Sequence, residues 1–116
     1  MEVIAEHKLL VLYPDGAAIP VCLRVGPLIP HPKGDWVCWV QAEGLRLWQG
    51  PTSLFGDGSW HALMVGLRFL QEMLAGEVRQ GAVLHWENGE YPTSLEEVFV
   101  RHENAAPEDS CGVTRQ

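Results

Sequence analysis

The run Gly56-Asp57-Gly58-Ser59-Trp60-His61 sets a carboxylate, a hydroxyl and an imidazole close together, directly ahead of a long apolar segment. Ser59 as nucleophile, His61 as general base and Asp57 as orienting acid would be the parts of a hydrolytic site. A helix beginning at this point would also present free N–H groups able to hold an anion. Spacing argues against the catalytic version, because residues two apart on a helix point away from each other. A phosphate loop would need a lysine and further glycines that the run lacks. The simpler expectation is a turn made by Gly56 and Gly58, with Asp57 or Ser59 capping a helix. Asp57, Gly58, Ser59 and His61 are kept as a candidate anion or small-ligand site.

Cys38 with His61 or His85 is a second nucleophile candidate. It falls within an apolar strand pattern, where a free thiol acts as a small inert hydrophobe. His7, His31, His61, His85 and His102 contain no HxH or HxxxH pair, so no metal site is expected. Cys22, Cys38 and Cys111 make an odd set without CxxC spacing, which excludes a disulfide framework and a zinc knuckle. The expectation is a non-enzyme, with no catalytic residue, cofactor or metal.

Tryptophan and arginine carry the stronger signal. On a strand through Trp36, alternation puts Trp36 and Cys38 on one face and Trp39 and Gln41 on the other. If a helix covers the Cys38 face, Trp39 and Gln41 lie on the open face. Arg24 would join them from a preceding strand, and Arg46 and Trp48 from a following one. Exposed Trp with Arg is the composition of binding hot spots. These five residues form the candidate partner-binding surface.

The positioning elements follow from period and turn chemistry. Residues 3–13 and 19–25 read as strands joined through Pro14-Asp15-Gly16, where Pro presets φ, Asp bonds back to the backbone and Gly accepts positive φ. Residues 26–35, with three prolines and two glycines, read as a loop. Strands are expected at 36–43 and 45–49. The period then becomes helical over 59–75, with Trp60, Leu63, Met64, Leu67, Leu70 and Leu74 as the buried stripe and Gly76 as terminator. Ala62, Gly66, Phe69 and Met73 form a second apolar row, an arc wide enough to predict a homodimer through the helix flank or the open sheet face. Residues 82–86 read as a fifth strand, and 92–97 as a cap and short helical turn. The fold class is α+β: an antiparallel sheet of four to five strands with one long helix on one face, a two-layer sandwich. Residues 1–102 form a single domain and 103–116 a disordered tail.

The Asp35-Trp36-Val37-Cys38-Trp39 and Glu43-Gly44-Leu45 segments, together with Ser59-Trp60-His61-Ala62-Leu63, resemble a family of small uncharacterised bacterial proteins. That family has an aspartate-tryptophan-x-cysteine strand and a helix opened by glycine-x-aspartate-serine-x-glutamine-alanine-leucine. The resemblance spans residues 4–86. It departs from the pattern at Asp57, which does not directly precede Ser59, and at His61, which stands at the glutamine position. It implies the α+β fold, brings no activity, and associates the chain with immunity or accessory proteins of toxin systems.

Fifteen acidic against eight basic residues give a net charge of −7, without a Lys/Arg cluster, which excludes phosphate-backbone binding and suits a basic protein partner. No apolar run reaches the roughly 18 residues of a membrane span, and the N-terminus lacks the basic region of a signal peptide. A cytoplasmic protein is expected, with a protein partner and neither nucleic-acid nor membrane binding.

Overall fold

The computed structural model describes residues 2–48, 50–89 and 91–99. The structure is an α+β two-layer fold. Five strands, β1 (Ala5–Leu12), β2 (Ala18–Pro30), β3 (Trp36–Glu43), β4 (Thr52–Gly56) and β5 (Val83–Trp86), form one antiparallel sheet in the order β4-β3-β2-β1-β5. Helix α1 (Ser59–Arg79) leads from β4 at one edge to β5 at the other and packs on β3, β4 and β2. A short helix, α2 (Leu95–Phe99), packs against α1.

The first hairpin forms as its turn residues dictate. Gly16 holds φ at 93°, its N–H reaches the Tyr13 carbonyl, and Asp15 accepts from the Ala17 N–H at 3.0 Å. The expected loop at 26–35 is corrected: β2 continues to Pro30, and only 31–35 form the turn. Its prolines sit where a missing N–H does no harm. Pro27 lies in the register shift between Val25 and Leu28, and Pro30 is the last residue of the strand.

The fourth strand is Thr52–Gly56 and not 45–49. Two apolar side chains of the earlier segment, Leu45 and Trp48, pack on the helix side instead, while Leu47 is exposed. Leu45 is fully buried, and Trp48 packs edge-on against Phe69 of α1.

α1 begins at the expected residue but runs past Gly76. Gln80 is its C-cap and Gly81, at φ 101°, is the left-handed residue beyond it. Gly81 N–H bonds to the Val78 carbonyl and Ala82 N–H to that of Glu77, a Schellman arrangement. The buried line is also rotated from the expected stripe. It runs Ala62, Gly66, Leu70, Leu74, Glu77, while Trp60 is 74% exposed and Met64 43%. Small residues set this rotation. A Cβ on Gly66 would stand 2.7 Å from Cys38 Sγ, and one on Gly56 would collide with the backbone of Ala62. The helix therefore lies close over β3 and the end of β4 through its small side chains, and Gly66 is occupied by contact with its own sheet.

Cys38, Val40, Leu9, Val11, Val21 and Leu23 form the sheet's half of the core. β5 pairs with β1, placing Leu84 opposite Val11. Its outer edge is partly closed by residues 91–93: Trp86 N–H reaches the Tyr91 carbonyl and Thr93 N–H that of Leu84. Ser94 caps α2 by accepting from the Glu97 N–H, with Glu96 and Glu97 in the first turn. The expected tail at 103–116 lies outside the described residues. No helix among the described residues is long and apolar enough to cross a membrane.

Candidate functional site: the open face of the sheet

With Cys38 and Val40 under α1, alternation turns Trp39 and Gln41 to the opposite face. Arg24 on β2 lies between Gln41 of β3 and Glu6 of β1. Its guanidinium meets the Glu43 carboxylate at 2.6 Å, which raises its pKa further, and both partners remain partly exposed. Cys22 stands next along β2, its Sγ 3.6 Å from Glu6 Oε1, and burial raises its thiol pKa.

Towards the β4 edge the same face becomes apolar. Val37 is flanked by Ile29 on β2 and Phe55 on β4, and Trp39 stands opposite Ser53. Ile29 is 43% and Phe55 49% exposed. A concavity of about 410 Å³ between Pro27, Ile29, Trp39 and Pro51 lies within this surface. The Phe55 ring is steadied by an edge contact from His31 at 5.6 Å. Neither described helix covers this side, since α1 and α2 both pack on the other face of the sheet.

Of the five expected partner-binding residues, Trp39, Gln41 and Arg24 share the open face. Arg46 and Trp48 do not. Arg46 lies 3.9 Å above the ring of buried Tyr13 and pairs with Asp15 at 3.0 Å. The Trp48 indole N–H donates to Thr52 Oγ1 at 3.1 Å while its ring meets Phe69. Both corrections have one cause: residues 45–48 are not a strand, so strand alternation does not govern where their side chains go. Ile29 and Phe55 were missed for the converse reason, since 26–35 read as loop and 52–56 was not recognised as β4. The signal that could have found Phe55 is the short run Thr52 to Phe55, holding β-branched and aromatic residues between Pro51 and the glycine turn.

At the helix start, Gly58 is the N-cap and makes no side-chain cap bond. Capping by Asp57 or Ser59 is thus corrected. His61 Nδ1 accepts from the Asp57 N–H at 2.9 Å, and the Asp57 carboxylate approaches the same nitrogen at 4.0 Å. The run folds as a self-bonded turn. Its histidine nitrogen is engaged in that turn, and a carboxylate beside it opposes an anion.

Cys38 is fully buried, and burial raises its thiol pKa. Its polar contact among the described residues is a long one, 3.9 Å, to the Trp39 carbonyl. A thiol so placed has no base to activate it. Among the described residues no three His, Cys, Asp or Glu side chains converge as metal ligands.

No protein-family model, curated protein or solved structure matches the chain.

Proposed function

We propose that the chain is a non-enzymatic protein-binding module that captures its partner on the open sheet face. The observation that carries this reading is the cluster of exposed Ile29 and Phe55 with half-buried Trp39, over which no described helix lies, beside the Arg24–Glu43 pair. An apolar centre with tryptophan, bordered by hydrogen-bonding and charged groups, is the anatomy of a binding hot spot. The net charge of −7 favours a basic partner in the cytoplasm. The narrower reading, an immunity-like or accessory protein, rests on the motif resemblance, the small size and the acidity. A second copy of the chain is a further candidate for the same face.

The alternative, an anion or small-ligand site at Asp57, Gly58, Ser59 and His61, has less support because the His61–Asp57 bond closes that turn on itself.

Affinity capture from the host lysate, repeated with variants, tests the proposal. Trp39→Ala and Phe55→Ala are expected to lose the captured protein while stability stays within about 1 kcal/mol. Trp48→Ala, which removes packing on Phe69, is expected to lower the melting temperature and leave capture by the folded fraction intact. Retention of the partner by both Trp39→Ala and Phe55→Ala would remove the open face from consideration.

A further inference from the structure

We infer that the opposite side of the sheet carries a second, separate site: a groove for a small amphiphile with an apolar body and an anionic head, the chemistry of a medium-chain carboxylate. The off-centre seat of α1 creates the groove. The helix lies over β3, β4 and β2 and leaves the N-terminal half of β1 uncovered on the same side. His7, Leu23 and Val25 form the floor, Met64, Leu67 and Arg68 one bank, and Phe99 of α2 the other. The space between them is about 400 Å³, within the range of small-molecule pockets.

Arg68 and Gln71 on the helix bank make one side of this apolar trough polar, and His7 adds an unmet atom behind its floor. His7 Nε2 is sealed from solvent and has no hydrogen-bond partner among the described residues, although its ring is held by an edge contact with Trp86. An unmet imidazole nitrogen behind an apolar wall is a cost that a ligand oxygen would relieve only on a shift of the ring that exposed it. Arg68 is an exposed cation on the bank of the groove, with no ion pair among the described residues. In a chain of net charge −7, an unpaired guanidinium beside an apolar trough selects an anionic headgroup over a cationic one. The floor then takes a short alkyl body and excludes water from it.

Calorimetric titration of the full chain with decanoate below its micellar concentration tests this, with decanol and decyltrimethylammonium as comparators. Amide shifts in a 1H–15N spectrum locate the site. Saturable binding of one decanoate is expected, with shifts concentrated on residues 5–7, 23–25 and 64–71. Arg68→Ala, at an exposed position, should weaken decanoate about tenfold and leave decanol unchanged. Leu67→Trp should block both ligands by filling the trough, and Trp39→Ala should alter neither. Should Leu67→Trp fail to fold, the Arg68→Ala comparison decides alone. Absence of saturable binding, equal affinity for decyltrimethylammonium, or shifts centred on Ile29 and Phe55 would overturn the assignment.

Discussion

Glu77 is a charged side chain sealed at 1% exposure, and it survives there because both its oxygens are used. Oε1 accepts the Tyr13 hydroxyl at 2.5 Å and Oε2 accepts the Leu47 N–H at 2.8 Å. One side chain thereby joins the end of α1, the first hairpin and the 44–51 connection. Glu77→Ala leaves the buried Tyr13 hydroxyl and the part-buried Leu47 N–H unmet, and chemical denaturation is expected to show a loss of about 2–3 kcal/mol. Tyr13 also predicts an alkaline limit. Burial, followed by the Glu77 bond, raises its pKa from 10.0 to about 12. The folded state therefore keeps a proton that the unfolded state has lost. This contribution is complete below pH 10 and disappears as pH rises to about 12. Denaturation curves across that window should show stability falling in the wild type, and a smaller fall in Tyr13→Phe.

The seating of α1 depends on what is missing from its side chains. Glycine inside a helix costs roughly 1 kcal/mol against alanine, yet Gly66 is kept at the closest approach to Cys38. Gly66→Ala should gain that propensity and lose more to overpacking, a net destabilisation of about 1–2 kcal/mol. Combined with Cys38→Ala, which frees the space, the two changes should be less than additive in a double-mutant cycle; simple additivity would mean that the contact does not set the helix position. The same residues show why the sequence disclosed some elements better than others. The Pro14-Asp15-Gly16 turn, β3, β5 and the start of α1 were legible because local chemistry decides them. The rotation of α1 was not, because ranking by apolar size hides a core line led by Ala62 and Gly66. The length of β2 was concealed by Pro27 and Pro30, residues that stop a strand in general but are tolerated in a bulge and at a strand end. For the site, alternation on β3 was enough to pair Trp39 with Gln41. It failed for Arg46 and Trp48, whose segment leaves the sheet and folds onto the helix side.

For the molecule as a whole, the sheet divides two kinds of surface. One side is held by Gly66, Leu70, Leu74 and Glu77 of α1, with the trough open beside β1; the other bears Ile29, Trp39 and Phe55 without a described helix over them. Loss of partner capture without loss of stability is therefore expected from the open side. Substitutions under α1 should lower stability first, and a panel of both read by capture and by melting should separate into these two classes.

The two borders of the sheet are unequal as well. Beyond β5, residues 91–93 already use part of the outer backbone, whereas beyond β4 no described strand pairs with Thr52–Gly56. Among the described residues, strand addition by main-chain bonds therefore has its more open border at β4. Two copies joined there would meet β4 to β4, consume that border in both, and stop. A sheet with both borders bare would instead go on recruiting copies into a fibre. The few hydrogen bonds that fold Tyr91 and Thr93 back onto β5 thus do more than finish a strand: they occupy backbone groups to which a further strand would otherwise add.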